Sequence, residues 1–266
     1  MNLVCTKTQV WLAAGAAVLV VAVLLVKKIW FPGVDDSYFQ LDYQRVQNAP
    51  SHVLLLRPTH FAGSRRTGCF AVPVRSRSGK YDPQQVRMVG RNVTLAQVIA
   101  TAYQCPLARV ALPTYAATNR YDFLVTVTRK PVERFQSAVR SKLGYTAVWQ
   151  ERETEVLELK VRRPNAPGLR PSDDSTRQKT NYKAGKLEFQ HAPIQTVIYM
   201  LEQVFKQPVL DKTDLSGSFD FSLEWRRSGG DEPMNKDSMN RSLDAMGLTL
   251  VSDSEQTTMM VVEKAK

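Results

Sequence analysis

Hydrophobic and polar positions along this chain change their period several times, and each change predicts a new element. In NVTLAQVIATAYQCP the apolar residues recur every three or four positions, which is typical of an amphipathic helix that ends before a proline. RYDFLVTVT then alternates as a strand does, and ERFQSAVRSKLGY has helical spacing up to Gly144. TAVWQERETEVLELKV has two alternating stretches around a charged centre, which predicts a strand, a turn and a second strand.

The same order of elements returns in the C-terminal part of the chain. KLEFQHAP predicts a strand and IQTVIYMLEQVFKQP a helix, followed by a strand in GSFDFSLEW, a helix in SMNRSLDAMGL and a closing hairpin in LTLVSDSEQTTMMVVEK. The apolar faces of the two first helices match at a constant offset of 99 positions: Leu95, Val98, Ile99 and Ala102 against Ile194, Val197, Ile198 and Leu201. The sequence therefore predicts an α+β fold with two similar β-α-β-α-β-β units, produced by internal duplication.

Polar and proline-rich segments separate the expected domains. Upstream of the first helix, HVLLLRP and QVRMVG predict strands, and the Gly-, Ser-, Pro- and Arg-rich segment between them predicts loops around a short strand. The expected boundaries are a connector at 32–51, the first α+β unit with a basic N-terminal extension at 52–161, a flexible linker at 162–185 and the second α+β unit at 186–266.

An apolar segment of 17 residues at 10–26 carries no charge. Trp11 and Trp30 flank it at positions where tryptophan favours a membrane interface, so residues 1–31 are expected to be a cytoplasmic stub and a transmembrane anchor. The alternative is a cleaved signal peptide, although no small-residue cleavage site follows. Lysines stand on both sides of the segment, and counting positive charges alone favours a cytoplasmic C-terminal part.

Two motifs carry a resemblance to a known family. PVLDKTDLSGSFDFSLEW, followed by a helix ending in MGL and the strand TTMMVVEK, resembles the soil-associated family of uncharacterised bacterial proteins. The upstream helix NVTLAQVIATAY with RYDF is similar to the same family, so the resemblance covers residues 50–266. Asp214 stands where the family has glycine, and Phe219 where it has tyrosine. The resemblance implies export and names no catalytic residue.

The motif residues are expected to have structural roles. They are Tyr121, Asp122, Phe123, Asp211, Thr213, Gly217, Phe219, Asp220 and Phe221. In each strand the two aromatic side chains are expected on one face and the aspartate on the other. DKTDLSG lacks the spacing of an EF-hand, which favours a turn with Gly217 at positive φ over a calcium site. A weaker similarity in the order of elements points to the short N-terminal domains of secretins and TonB-dependent receptors, which bind other proteins in the periplasm.

Charge is unevenly distributed along the chain. The net charge is +11, but residues 29–185 carry 24 basic and 12 acidic side chains, and residues 186–266 carry 9 and 13. The stretch 57–91 contains one acid and eight basic residues that suit an anionic partner: Arg57, Arg65, Arg66, Arg75, Arg77, Lys80, Arg87 and Arg91. The alternatives are a solvated basic loop, or a basic half that packs against the acidic half.

The sequence contains none of the common catalytic or metal-binding motifs. The three histidines stand in no HExxH pattern, the Gly-Lys pair in SRSGKY lacks the rest of a phosphate loop, and no G-x-S-x-G occurs. The sequence therefore predicts no catalytic residue, cofactor site or metal site. Cys69 and Cys105 are a candidate disulfide if this region faces an oxidising compartment, and two buried thiols are the equal alternative.

These features predict a membrane-anchored, non-catalytic interaction module in the bacterial envelope. It would be a single-pass inner-membrane protein with a periplasmic C-terminal domain, and its partner would be an envelope protein bound through a sheet edge or a helix face. One alternative is a membrane-tethered cytoplasmic binder of nucleic acid or another anionic surface through residues 57–91, and the other is an unrecognised hydrolase. Nucleic acid is the less favoured partner, and the oligomeric state stays open.

Overall fold

The computed structural model of this protein describes residues 34–75, 81–173, 178–183, 186–224 and 236–265. No helix in these segments is long and apolar enough to cross a membrane. This finding corrects the predicted single-pass architecture and the predicted inner-membrane localisation. The apolar segment at 10–26, on which both predictions rested, lies outside the described residues.

Two sets of elements with the same order make up the described chain. A short 3-10 helix (Asp36–Phe39) and α1 (Tyr43–Gln47) come first. The first repeat then contains β1 (Leu54–Pro58), β2 (Gly68–Arg75), β3 (Tyr81–Thr94), α2 (Leu95–Ala102), a 3-10 turn (Leu107–Arg109), β4 (Val110–Ala111), β5 (Arg120–Val125), α3 (Pro131–Leu143) and β6 (Tyr145–Val161). The second repeat contains β7 (Leu169–Pro171), β8 (Lys179–Lys183), β9 (Lys186–Pro193), α4 (Ile194–Phe205), β10 (Val209–Asp211), β11 (Ser218–Glu224), α5 (Lys236–Ala245) and β12 (Leu248–Lys264). The fold is α+β.

Each repeat forms a sheet of its own, and the two repeats share a third. The first sheet has the strand order β1-β5-β3-β2, and the second has the equivalent order β7-β11-β9-β8. In the shared sheet, of order β10-β6-β12-β4, the two long strands pair antiparallel from Leu248 opposite Val161 to Lys264 opposite Tyr145. The short strand β4 of the first repeat joins β12 of the second, and β10 joins β6. Each repeat therefore lends strands to the other.

The expected hairpin at the end of each repeat is wrong, because β6 and β12 are each one continuous strand of 17 residues. Glu151, Glu153 and Glu155 form the charged centre of β6 and lie on a solvent-exposed part of the strand. Their partners across the strand pair are the polar residues Thr258, Gln256 and Ser254. A two-stranded ribbon with water on its surface keeps such side chains solvated, so the charges do not require a turn.

A hydrophobic core lies on the inner face of each of the two equivalent sheets, and each of these cores contains residues of both repeats. The first core joins α2, α3 and the inner face of the first sheet, and Met260 and Val262 of β12 complete it. The second core joins α4, α5 and the inner face of the second sheet, and Leu157 and Leu159 of β6 complete it. Neither repeat can bury its core without a strand of the other.

The outer faces of the two equivalent sheets differ. Val72, Val89 and Leu124 make the outer face of the first sheet apolar, and the segment 34–49 covers it with Phe39 and Val46. In the second sheet, Glu188 and Ser222 stand at the positions that correspond to Val89 and Leu124. A polar outer face needs no cover, so the two repeats present different surfaces.

Gly144 and Gly247 end the second helix of each repeat in left-handed geometry, both with φ of 73°. A Cβ atom at Gly144 would meet nothing within 4 Å, whereas a Cβ atom at Gly247 would lie 2.2 Å from the carbonyl oxygen of Arg163. The carbonyl oxygen of Gly247 also accepts from the backbone N–H groups of Arg162 and Arg163. Gly247 is therefore required for its conformation and for a close backbone contact.

Replacing Gly144 by alanine is expected to lower the free energy of unfolding by about 1 kcal/mol, the cost of left-handed backbone alone. Replacing Gly247 by alanine is expected to cost roughly 2 to 3 kcal/mol, because the backbone near Arg163 must also move. Urea unfolding of both variants measures the difference. Equal costs would show that the close contact does not constrain the native state.

Candidate functional site

The aromatic-Asp-aromatic motif has the same structural role in both repeats. Tyr121 and Phe123 lie in the first core, and fully buried Asp122 lies on the opposite face of β5. Its carboxylate accepts from the Thr59 hydroxyl at 2.7 Å and from the backbone N–H groups of His60 at 2.7 Å and Asn92 at 2.9 Å. Asn92 has φ of 51° and lies in a bulge of β3 just before α2. Asp122 therefore holds the bulge from which the helix starts.

Asp220 repeats this arrangement on β11. It accepts from the Ser172 hydroxyl at 2.7 Å and from the backbone N–H of His191 at 2.9 Å, where φ is 53°. The Ser172 hydrogen bond, followed by that from His191, lowers the pKa of Asp220 below its usual value. Phe219 and Phe221 lie in the second core. The motif thus has a structural role, because both carboxylates accept hydrogen bonds from groups of their own chain.

DKTDLSG forms a compact turn. One carboxylate oxygen of Asp211 accepts from the backbone N–H of Thr213 at 3.0 Å and from its hydroxyl at 2.6 Å. Gly217 has φ of 92°, which confirms the expected positive φ. Asp214 has φ of 56°, a conformation that glycine adopts without strain, and this accounts for the glycine at that position in the resembled motif.

Glu158, Asp253 and Glu255 come closest to a metal site among the described residues. Glu158 is buried, and Lys160 Nζ lies 2.5 Å from one of its carboxylate oxygens. Lys212 Nζ lies 2.9 Å from Glu255 and 3.7 Å from Glu158. Hydrogen bonding to Lys160 lowers the pKa of Glu158, and hydrogen bonding to Glu255 raises that of Lys212. Two ammonium groups already hold the position that a cation would take, so the cluster is an ion-pair network.

Three arginines of the basic tract bind groups of their own chain. Arg57 contacts Asp36 at 3.2 Å. Arg91 lies 4.1 Å from the centre of the Phe61 ring, and its Nη1 donates to the carbonyl oxygen of Phe39 at 3.2 Å. Arg87 Nη1 donates to carbonyl oxygens at the end of α1, and burial lowers its pKa. These side chains attach the segment 34–49 to the first sheet.

The remaining members of the tract are Arg65, Arg66, Arg75, Arg77 and Lys80. Arg65 and Arg66 are exposed in the loop before β2. Arg77, Lys80 and the side chain of Arg75 lie outside the described residues. Among the described members of the tract, Arg57, Arg87 and Arg91 bind groups of their own chain, and Arg65 and Arg66 are exposed to solvent.

Cys69 and Cys105 are free thiols, so the candidate disulfide is not formed in this structure. Cys69 is half-buried in β2 and accepts a hydrogen bond from the Thr101 hydroxyl at 3.4 Å. Burial raises the pKa of both thiols, that of Cys105 to about 11. A raised pKa keeps them protonated and poorly nucleophilic at neutral pH.

Both cysteines line a groove of about 680 Å³ between the two repeats. The first repeat supplies one wall from β2, α2 and the following turn. The second repeat supplies Tyr199 and Gln203 of α4 and Lys206 at its C-terminal cap. The side chain of Tyr199 is 56% exposed. The lining includes several glutamines and one cation but no carboxylate. This groove has the size and mixed polarity of a binding site.

The groove lies beside an unpaired strand edge. β2 is the terminal strand of the first sheet, and within the part of the chain that the structure describes it pairs with β3 alone. Pro73 within β2 has no N–H group and fits a strand only where its nitrogen points away from the neighbour. Because alternate residues point the same way, the backbone N–H groups of Cys69 and Ala71 are directed outwards as well. An extended chain in the groove would find free donors and acceptors there.

A second hollow, of about 320 Å³, lies on the outer face of the second sheet. Three of its charged residues are engaged by their neighbours, because Lys186 pairs with Glu188 and Glu224, and Asp220 accepts a hydrogen bond from Ser172. The groove, with its unpaired strand edge, is the better candidate.

Sequence reasoning missed the second wall of the groove. Tyr199, Gln203 and Lys206 lie on the polar side of a helix whose apolar period was recognised, and no motif marks them. The usable signal was Tyr199, a large aromatic residue outside the apolar face of α4.

Comparison with known proteins identifies a family and no activity. The family model described as Protein of unknown function (DUF3738) matches residues 96–265, from α2 to β12. No curated protein matches the chain. No solved structure matches it either.

Proposed function

We propose that this chain, which belongs to the family described as Protein of unknown function (DUF3738), is a non-catalytic binding module. Its ligand is an extended segment of a partner protein that adds to the edge of β2. The observation that carries this proposal is the unpaired edge of β2 beside a groove with walls from both repeats. Strand addition supplies affinity through main-chain hydrogen bonds and specificity through alternate side chains.

The charge around the groove suggests the chemistry of the partner. Lys206 lies in one wall, and Arg65 and Arg66 are exposed in the loop that leads into β2. No carboxylate lines the groove. A segment with neutral and acidic side chains is therefore favoured over a basic one.

Resemblance supports a binding role without naming a ligand. The order of elements is similar to the short N-terminal domains of secretins and TonB-dependent receptors, which bind other proteins. A nucleic-acid or other anionic-surface binder is less favoured, because Arg57, Arg87 and Arg91 already bind groups of their own chain. The soil-associated resemblance adds no activity, and no contact among the described residues favours the hydrolase alternative.

Ala71→Pro is expected to weaken binding of extended peptides about tenfold, because it removes an outward donor and places a ring against the incoming chain. The probe is a panel of fluorescent eight-residue peptides, matching the length of β2, with alternating valine and threonine and either acidic or basic ends. Fluorescence anisotropy measures binding, and we expect acidic peptides to bind better than basic ones.

The matched control is Tyr182→Pro in β8. Tyr182 pairs with Leu187 as Ala71 pairs with Met88, so the two positions correspond in the two repeats. Tyr182→Pro should leave peptide binding unchanged, and thermal unfolding should show that both variants are folded. Equal binding by wild type and Ala71→Pro would refute the edge of β2 as the site, as would a panel that fails to bind the wild type.

A further inference from the structure

A buried ion pair connects the two walls of the groove. Arg109 ends the 3-10 turn of the first repeat, and Glu202 lies in α4 of the second. Arg109 Nη2 and Nε lie 2.9 Å and 3.0 Å from Glu202 Oε1. The side chain of Glu202 is only 3% exposed, and that of Arg109 is 20% exposed. A carboxylate so deeply buried requires a partner charge.

Further hydrogen bonds make this pair a junction of several elements. Glu202 Oε1 also accepts from the backbone N–H of Val209 at 3.1 Å. Arg109 donates to the carbonyl oxygens of Val209 and Thr258, both at 3.4 Å. One arginine of the first repeat therefore holds α4, β10 and β12 of the second.

The junction lies directly next to the groove. Leu107, two residues before Arg109, lines the first wall. Tyr199 and Gln203 line the second wall and lie within one turn of Glu202 on the same helix, and Lys206 follows at the C-terminal cap of that helix. Because α4 moves as one rigid element, the position of Glu202 determines the position of this wall.

We infer that the Arg109–Glu202 pair sets the width of the groove and is a positioning pair for partner binding. Its consequence for binding rests on the proposed function, whereas its effect on the groove does not. Without the pair, α4 loses its charged attachment to the first repeat, and the groove opens more often. Neither side chain lines the groove, so neither is a contact for the partner.

Glu202→Gln tests the inference in the full chain. Glutamine keeps the shape of the side chain and an acceptor for the N–H of Val209, but it removes the charge that binds Arg109. Cys69 and Cys105 line the groove and report its opening. Their alkylation rates with iodoacetamide, resolved for each cysteine by mass spectrometry, are expected to rise about tenfold in Glu202→Gln.

The matched control is Glu224→Gln, which makes the same chemical change in the exposed pair Lys186–Glu224. This variant should leave both alkylation rates at the wild-type value. Circular dichroism and urea titration establish that all three proteins are folded under the labelling conditions. Unchanged rates in folded Glu202→Gln, or an equal rise in Glu224→Gln, would overturn the inference.

Peptide binding separates the two proposals. If Glu202→Gln opens the groove but the eight-residue peptides do not bind the wild type, the positioning pair stands and the proposed function fails. If the peptides bind the wild type and the thiol rates do not change in Glu202→Gln, the proposed function stands and the positioning pair fails.

Discussion

Met260→Ala is expected to unfold the first repeat preferentially, although Met260 belongs to the second repeat. This side chain lies on β12, is 2% exposed and packs in the same core as Phe123 and Phe135. Truncation leaves a cavity in a core that cannot collapse freely, which costs about 2 to 5 kcal/mol. Protection of α2 and α3 against hydrogen exchange should fall first, because these helices pack in that core.

Leu157→Ala is the reciprocal half of the same prediction. Leu157 belongs to β6 of the first repeat but packs in the second core with Leu201 and Leu223. The expected cost is again about 2 to 5 kcal/mol. Here the loss of protection should begin in α4 and α5.

Hydrogen exchange with mass spectrometry measures both halves of the prediction, and urea unfolding measures the free energies. Val148→Ala in β6 and Val251→Ala in β12 are the controls, because these side chains are 45% and 41% exposed on the same strands. They should change the free energy of unfolding by less than about 0.5 kcal/mol. If Met260→Ala reduced protection only in the second repeat, the conclusion that β12 completes the core of the first repeat would be refuted.

Asp122→Ala is expected to lower the free energy of unfolding by roughly 3 to 5 kcal/mol. The carboxylate is fully buried and accepts from two backbone N–H groups and one hydroxyl. Without it, the N–H of Asn92 stays buried at the bulge with no acceptor in its place. The start of α2 then loses its support, since the bulge immediately precedes the helix.

Asp220→Ala provides the matched comparison in the second repeat. Asp220 is partly exposed and accepts from one hydroxyl and one backbone N–H, so the expected cost is about 1 to 2 kcal/mol. Its lowered folded-state pKa means that its contribution is present above the unfolded-state pKa and is lost as the pH falls through the folded-state value. Urea titrations at pH 7 decide the ranking, and an Asp122→Ala variant no less stable than Asp220→Ala would contradict it.

Elements that depend on local periodicity were predictable from the sequence. The helices α2 and α4 carry apolar faces with a period near 3.6, and burial of these faces selects the helix whatever lies opposite. Gly144 and Gly247 likewise marked helix ends, because left-handed backbone favours glycine for local steric reasons. The alternation of helices and main strands in both repeats follows from such signals, whereas the short strands β4, β7, β8 and β10 do not.

The candidate site was much less predictable. The basic tract is visible in the sequence, but partners that engage it, among them Asp36 and the carbonyl oxygen of Phe39, lie in the segment 34–49 and carry no motif. Arg109 and Glu202 are 93 positions apart, and no sequence motif around either residue indicates that they form an ion pair. The groove exists only because walls from the two repeats meet.

By itself, the sequence determined the α+β class, the repeated alternation of the main helices and strands, and the structural role of the aromatic-Asp-aromatic motif. Only the tertiary structure decided that β6 and β12 are continuous strands shared between the repeats. The charged centre of β6 is compatible with a turn and with an exposed strand, because both structures keep its glutamate side chains in water. The choice depends on β12, whose partner residues stand about a hundred positions further along the chain. Long-range pairing of this kind completes both cores and leaves no trace in local periodicity.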